Sequence, residues 1–578
     1  GKYCSVCNEI LLEQTKLPFA KCQGEWVVTL PATESTVGAM SMTCATCGKI
    51  ENDEVPCLPY TAGLQYELGN GYYTLVGIGH ATDTNINVPL TYRGLPVAKI
   101  AAGALKDQTQ ITSITVSDNV IYFGYAPFAG CTGLVELTVP FIGDVKRTIE
   151  EDDHYPLGYF FGTANVEGTY ACKQIVGERN APHSEVVFYI PRPLKKVTVN
   201  GGDVHNGAFS YCTLIEELVF GDAVRCVEKY SLSRCDGLKN LTLPYLGLYT
   251  EEITDGSKYF NNIAYMFGLS DVIYGRVPTN TVTVKVTKGI GGFAIEYYGV
   301  RPFENGIRLI IGKDVERIKE ECGYMIYSQN LISVTFEEGS QIKEIWGIGY
   351  HEYGVAEPMI IPASVERIGD IGPTDFYVTD LEKFMLGFSG TLNGDIYCNG
   401  ELVTEVVLPT GMPPLRECMF ENCTSIKKVY ISAGVELGRG FLLSSVEEVV
   451  FLPGVTVIPT GALGDCQNLK TVYLPDSVHT LESNAFSSCP SLKYIKHTPN
   501  DTSVVEAHPD STFSIQWLSE TLEYLYIPAS VTHVLELNDS KIIEIGEGCT
   551  NIEFDYGSKT LFTNDRTVLL ILNPFMIG

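Results

Sequence analysis

The most constraining feature of the sequence is a segment of about 23 residues that recurs along most of the chain, within the range of repeat lengths seen in solenoid proteins. Its frame is Cys, two variable residues, Leu, two variable residues, and then two apolar residues separated by one other, often followed by Pro. The interval from Cys466 to Cys489 equals the interval from Cys212 to Cys235. Clear copies are AGCTGLVELTVP (129–140), SRCDGLKNLTLP (233–244), ENCTSIKKVYIS (421–432) and GDCQNLKTVYLP (464–475). Such self-similarity predicts an array of stacked coils rather than several separate globular domains.

The apolar spacing within each copy predicts one short β-strand per coil. In LKTVYLP we expect Leu469, Val472 and Leu474 to point inward, because the apolar residues of a half-buried strand share one face. Lys470 and Tyr473 should face outward. After each strand the chain turns through Asp-Ser-Val or Ala-Ser-Val and returns to the core. The returning residues of this coil are predicted to be Val478, Leu481, Ala485 and Phe486.

Seven further segments show the same strand pattern. They are 111–117, 194–200, 215–220, 331–336, 403–409, 446–451 and 522–528. Proline cannot donate to a strand ladder, so it should end its strand. The prolines in this position are Pro140, Pro244, Pro409, Pro475 and Pro528. The fold predicted from period and spacing is an α/β repeat solenoid of the leucine-rich-repeat type, with mostly short parallel strands and irregular or short helical returns.

One cysteine per coil occupies a constant position in the frame. A free cysteine packs as a small hydrophobic residue, so a repeated position predicts a buried column rather than nucleophiles or disulfides. The predicted column consists of Cys131, Cys212, Cys235, Cys423, Cys466, Cys489 and Cys549.

These coils resemble the BspA-like branch of the leucine-rich repeats, over about residues 66–555. The resemblance includes YYTLVGIGH and INVPLTYRGLPVAKIAAGAL within 72–105, which look like the hairpin and first coil that open such arrays. Members of that family occur in gut and oral anaerobic bacteria and some protozoan parasites. They are secreted or surface-attached and bind host proteins or other cells. The resemblance therefore implies a bacterial surface protein whose partner is a host or bacterial surface protein or a glycan.

The coil pattern divides the chain into segments. We predict a Cys-rich module over 1–60, an opening hairpin and first coil over 61–105, a solenoid over 106–555 and a C-terminal cap over 556–578. Insertions interrupt the coils near 141–190 and 245–305. They are expected either to bind a ligand or to brace neighbouring coils. Their aromatic stretches, HYPLGYFFG (154–162) and KYFNNIAYMFG (258–268), are interpreted as local cores rather than exposed binding surfaces.

The Cys-rich module contains two Cys-x-x-Cys pairs, typical of zinc ribbons although their separation is unusually long. The favoured interpretation is one structural zinc ion on Cys4, Cys7, Cys44 and Cys47. A site that recruits Cys22 is the second arrangement, by resemblance to small modules beside BspA-like arrays. Disulfides among these five and Cys57 are the alternative in an extracellular setting, and plain thiols are the third interpretation.

Charge and motifs narrow the functional classes. The net charge of −29 would repel a phosphate backbone, so nucleic acid is not an expected partner. No apolar run reaches the roughly 18 residues of a membrane span, and we expect that a secretory signal has been removed before Gly1. No metalloprotease, phosphate-loop or calcium-loop motif occurs, and the nine His residues are scattered. No catalytic or cofactor-binding residues are predicted.

The sequence therefore favours a non-enzymatic extracellular or cell-surface protein that binds or adheres to a protein or glycan. A spacer that projects another domain and binds nothing is the competing interpretation. An enzyme with an unrecognised site is a weaker third, and it would require a deep pocket with convergent carboxylates or histidines. A contiguous aromatic patch on one face favours binding, whereas a patch-free charged surface favours the spacer.

Overall fold

The structure is a computed structural model, and it describes most of residues 60–547. The gaps are 148–154, 178–183, 247–265, 268–277, 291–304, 319–330, 349–353, 416–418, 439–443, 515–521 and 536–541, with a few single positions. Short strands before residue 60 and at 553–554 are also described. The predicted C-terminal cap, 556–578, lies outside the described residues, and the predicted domain boundaries stay predictions.

Parallel strands, one per coil, form the front of the molecule in three successive sheets. In the first they are Asn85–Val88, Ser113–Val116, Glu136–Val139, Lys196–Gly201, Glu217–Ala223, Asn240–Leu246, Val282–Ile290, Ile307–Ile311 and Leu331–Phe336. In the second they are Met359–Ile360, Phe376–Val378 and Ile396–Cys398, with Glu401–Leu402 antiparallel. In the third they are Glu405–Leu408, Lys428–Ile431, Glu448–Phe451, Thr471–Leu474, Tyr494–His497, Tyr524–Ile527 and Ile542–Ile545. The leucine-rich-repeat fold is confirmed.

The returning segments form short parallel strands of their own, which the sequence analysis had not predicted. One group is Arg317–Ile318, Glu344–Ile345 and Arg367–Ile368. The other is Val457–Ile458, Thr480–Leu481, Thr512–Ser514, His533–Leu535 and Glu553–Phe554. The helices of the described residues are short: a 3-10 turn at Leu157–Phe160 and an α-helix at Leu381–Gly387.

The remaining strands lie near the N-terminus and in the first insertion. An opening sheet contains Gln65–Leu68, Tyr73–Gly77, Thr91–Tyr92, Leu95–Ile100 and Tyr122–Phe123. The insertion contains an antiparallel hairpin of Thr169–Val176 and Ser184–Pro191. Within the predicted Cys-rich module the strands are Lys2–Tyr3, Ile10–Leu12, Trp26–Leu30, Gly38–Thr43 and Ile50–Val55.

A continuous apolar core runs from Leu64 to Val531 between the front strands and the returns. The residues predicted to point inward do so: Leu469, Val472 and Leu474 are buried. Lys470 is exposed and Tyr473 half-exposed, as expected. The predicted returns are confirmed as well, since Val478, Leu481, Ala485 and Phe486 are buried. Each coil thus buries its apolar edge only against its neighbours.

One expected strand end is wrong. Pro140, Pro409, Pro475 and Pro528 directly follow their strands, but Pro244 lies inside Asn240–Leu246. The pairing with the next strand shifts register between Leu243 and Tyr245, so the ladder skips the proline that has no N–H to donate. The strand therefore bends at Pro244 and resumes pairing after it.

The repeated cysteine has a polar role beyond filling space. Cys131 donates its thiol hydrogen to the carbonyl oxygen of Leu105, at 3.0 Å between sulfur and oxygen. Cys235 and Cys489 donate in the same way to carbonyl oxygens of Phe209 and Leu463. The thiol is thus small enough for the core and polar enough to pair a buried carbonyl of the preceding coil. Cys549 of the predicted column lies outside the described residues.

Asp395 links the second front sheet to the third. Its carboxylate accepts hydrogen bonds from the backbone amides of Thr424 and Ser425, at 2.7 and 2.8 Å, and from the Thr424 hydroxyl at 2.9 Å. Burial alone would raise the pKa of this carboxyl, but these donors lower it below its ordinary value. The ionised form is therefore the one that holds the junction together.

We expect Asp395→Asn to lower the free energy of unfolding by about 1 kcal/mol at pH 7, because a charged acceptor becomes a neutral one. The ionised carboxylate contributes fully above its unfolded-state pKa of about 3.9, and this contribution is lost as the pH falls through the lower folded-state pKa. Urea unfolding of both proteins between pH 7 and pH 3 measures the difference. A difference that does not shrink at low pH would contradict this assignment.

The buried cysteines should resist alkylation. Burial raises the pKa of the Cys131 thiol to about 12, so on the order of one thiol in ten thousand is ionised at pH 8. We expect Cys131 and Cys235, both with a thiol pKa raised by burial, to react with iodoacetamide far more slowly than the partly exposed Cys398. Peptide mapping by mass spectrometry, with urea-unfolded protein as the reference, measures the rates. Equal labelling of Cys131 and Cys398 in folded protein would contradict the buried column.

Candidate binding face

The outward side chains of the third front sheet form a band rich in tyrosine. Because the strands pair in register, outward positions of successive coils lie side by side. One row runs Val407, Tyr430, Val450, Tyr473 and Lys496, and the other runs Glu405, Lys428, Glu448, Thr471, Tyr494 and Tyr524. We call these two rows the tyrosine face. They place aromatic rings on four strands of one surface.

The rings cover the smaller outward residues between them. Val450 lies between Tyr430 and Tyr473 in register, and only 2% of it is exposed although it points outward. Tyr494 pairs directly with Tyr524 on the next strand. The four tyrosines themselves are half-exposed. The face therefore combines shielded apolar surface with accessible ring edges and hydroxyls.

Two lysines lie over these rings. The Lys428 ammonium is 5.3 Å from the ring centre of Tyr430 and 5.7 Å from that of Tyr473, and Lys496 is 4.7 Å from that of Tyr494. These distances are within the range of cation–π attraction. The lysine stems thus pack along the tyrosines, and their charged ends remain at the surface.

Carboxylates fix the polar atoms of the face. The Tyr430 hydroxyl donates to Glu405 and the Tyr494 hydroxyl to Glu523, each at 3.1 Å. Partial burial alone would lower the pKa of Lys428, but the Glu448 carboxylate 3.1 Å away raises it above the ordinary value. Partial burial also raises the pKa of Tyr473. At neutral pH Lys428 is therefore an ammonium group and Tyr473 a protonated phenol.

The first front sheet presents a different surface at the equivalent positions. Its outward row contains Thr115, Thr138, Thr198, Val219 and Thr242 in register. Its other row includes charges that pair within the sheet, such as Lys196 with Glu217 at 2.9 Å. Both sheets pair parallel strands coil by coil, but their outward chemistry differs. The third front sheet, unlike the first, carries an aromatic patch of the kind that favours a binding protein over a spacer.

A concave pocket of about 330 Å³ lies beside the helix Leu381–Gly387. Its charged lining consists of Glu366, Asp380 and Lys383. Glu366 pairs with Lys343 at 2.7 Å, Asp380 accepts the backbone amide of Lys383 at the helix start, and the Lys383 ammonium donates to the Ala363 carbonyl. These charged groups serve local structure, and the described lining of the pocket does not present the convergent acid–base groups that an enzyme would need.

The predicted site residues in the N-terminal module, Cys4, Cys7, Cys22, Cys44, Cys47 and Cys57, lie outside the described residues.

The aromatic insertion residues that are described belong to the core, as predicted. Phe160 and Phe161 are buried in the first insertion, and Met266 and Phe267 in the second. The Tyr159 hydroxyl donates to the Phe123 carbonyl at 3.2 Å, which braces the insertion against the opening sheet.

The sequence analysis missed two features of the third sheet. The outward position of Tyr473 was predicted, but alignment of all strands on the repeat period would have shown that tyrosine recurs there. The second feature is a group of three residues from neighbouring coils, Asp476, His497 and Asp501, that lie close enough to share a metal ion. No local motif contains them, because coil stacking brings them together.

Comparison with known families agrees with the strand geometry. The BspA type leucine rich repeat region matches this chain in six copies, over 95–147, 187–264, 324–439, 390–514 and 438–537, which is more than half of its length. The chain belongs to this family. No match was found among curated proteins. No described helix of this BspA-type repeat protein is long and apolar enough to cross a membrane.

Several solved structures are similar to this BspA-type repeat protein. A leucine-rich repeat protein from Bacteroides ovatus is 14% identical, with 85% of this chain and 86% of that chain covered and a TM-score of 0.21. A leucine rich cell surface protein from Faecalibacterium prausnitzii is 16% identical, with 87% and 96% covered and a TM-score of 0.16. A leucine-rich repeat protein from Eubacterium ventriosum is 12% identical, with 88% and 97% covered and a TM-score of 0.21. The fold assignment rests on the family match and the strand ladders.

Proposed function

We propose that this chain is a non-enzymatic binding protein of the cell surface or extracellular space, and that its tyrosine face holds a protein ligand. The observation that supports this most is the contiguous band of Tyr430, Tyr473, Tyr494 and Tyr524 on one sheet. The surface location follows from the family resemblance, since BspA-like members are secreted or surface-attached.

The chemistry of the band suits a protein partner. Tyrosine contributes large contact area with few rotatable bonds and is enriched among residues that dominate protein interfaces. The tyrosine face spans six strands, and at about 4.8 Å between strands it is roughly 24 Å wide, which is long enough for an extended segment of a partner. The charges of the face balance, because Lys428 and Lys496 are matched by Glu405 and Glu448, so the aromatic contact area rather than charge would supply most of the affinity.

The spacer interpretation predicts a different surface. A spacer needs regular coils and a solvated surface but no shared aromatic surface on one sheet. The threonine row of the first sheet matches that description, and it therefore provides an internal control at equivalent strand positions.

The binding test uses immobilised extracellular-matrix proteins and mucin glycans with the full chain in solution. For the partner that binds, we expect the double variant Tyr430→Ala/Tyr473→Ala to weaken affinity at least tenfold, because it removes two central aromatic anchors. The matched control, Thr138→Ala/Thr198→Ala on the first sheet, should bind within about twofold of the unmodified protein.

Binding that survives the tyrosine double variant in folded protein would refute the tyrosine face as the contact surface. Failure to bind any protein or glycan across the panel would favour the spacer instead. Selective capture of mucin glycans, lost in the tyrosine variant, would keep the surface but replace the protein ligand with a glycan.

A further inference from the structure

Asp476, His497 and Asp501 form a compact group at the end of the third front sheet. Asp476 follows Thr471–Leu474 and Pro475, while His497 is the last residue of the next strand, Tyr494–His497. Asp501 lies in the turn that follows. One ligand atom from each residue lies within 4.8 Å of the others. The group therefore joins two consecutive coils.

The imidazole of His497 faces both carboxylates at more than the usual hydrogen-bond separation. Its Nε2 atom lies 3.4 Å from Asp476 Oδ2 and 3.7 Å from Asp501 Oδ2. That nitrogen is shielded from solvent and has no hydrogen-bond partner among the residues that the structure describes. An Nε2–H group that donates a charge-assisted hydrogen bond to one of these carboxylates would approach it to about 2.7–2.9 Å. The separations are too long for that arrangement.

The distances from His497 Nε2 to the two carboxylates are close to those between two ligands of a tetrahedral zinc ion. Zinc lies about 2.0–2.2 Å from nitrogen and oxygen ligands, so two ligands at the tetrahedral angle are about 3.3–3.6 Å apart. The distances of 3.4 and 3.7 Å from His497 Nε2 are close to this range. Imidazole is a ligand for zinc and similar transition metals, whereas calcium prefers six to eight oxygens.

Neighbouring groups hold the two carboxylates in place. Asp476 Oδ1 accepts the Tyr526 hydroxyl at 2.5 Å and the Ala529 amide at 2.9 Å, which leaves Oδ2 toward His497. Asp501 Oδ2 accepts the Asp476 amide at 2.8 Å, while its Oδ1 accepts the Ser503 amide. The Asp501 side chain is fully buried. Outer partners of this kind orient ligands in metal sites.

The space around this group depends on a glycine. A Cβ atom on Gly546 would lie 2.6 Å from both Asp476 Oδ1 and the Tyr526 hydroxyl. The Tyr526 ring also contacts the His497 ring, with centres 4.8 Å apart. Residues of four successive front-strand coils thus shape the site, although only two coils supply its ligands.

We propose that Asp476, His497 and Asp501 bind one divalent transition-metal ion of the zinc type. The ion connects two coils through their side chains and leaves a fourth coordination position for water or a ligand atom. This role is structural, and it is independent of any partner on the tyrosine face.

The test measures zinc bound to the full chain after equilibrium dialysis, by elemental analysis of unmodified protein and of His497→Gln and Asp476→Asn variants. We expect each variant to bind one zinc fewer per chain. The control is His479→Gln, which changes a histidine that stacks on His508 outside this group and should leave zinc binding unchanged. Zinc on the N-terminal cysteines would be equal in all samples and would cancel in the comparison.

A second measurement does not depend on the variants. Crystals of the unmodified protein soaked in zinc should show an anomalous scattering peak at the zinc edge between the three side chains. Added zinc should also raise the melting temperature of the unmodified protein more than that of folded His497→Gln. No peak at this position, or equal zinc content in the unmodified protein and both variants, would overturn the proposal.

Discussion

Stacking of one coil on the next is the constraint on which the rest of the structure depends. A single coil has an apolar edge and unpaired strand amides, and neither can be satisfied within it. Parallel pairing of the front strands and of the short return strands satisfies the amides. The continuous core from Leu64 to Val531 buries the apolar edges. Stability is therefore shared between neighbours along the array.

Stacking also converts a position in the repeat into a row in space. The frame cysteine shows this most clearly, because its thiol reaches a carbonyl of the preceding coil at three separate places. The outward strand positions obey the same rule. Where the outward residues are mostly threonine, as in the first front sheet, the surface is polar. Where tyrosines recur among them, as in the third, the surface is aromatic. Functional surface can thus change along the array while the backbone stays the same.

The tyrosine face and the Asp476–His497–Asp501 group lie at the same end of the molecule. Tyr526 is part of the third sheet, its hydroxyl donates a hydrogen bond to Asp476, and its ring contacts the His497 ring. A metal ion at this place would stiffen the coils next to the proposed contact surface. The two proposals nonetheless depend on different side chains and different measurements, so either can fail without the other.

The sequence by itself determined the coil, its period and its inward residues, because each is a local pattern that recurs. Leu469, Val472 and Leu474 were predictable from alternation alone. The bend at Pro244 depended on how the next strand pairs, and the return strands are too short to leave a periodic signal. Only the tertiary structure decided which rings share a surface and which carboxylates face His497. Those neighbours lie about one coil apart in sequence, and their closeness follows from the register of stacking rather than from any local motif.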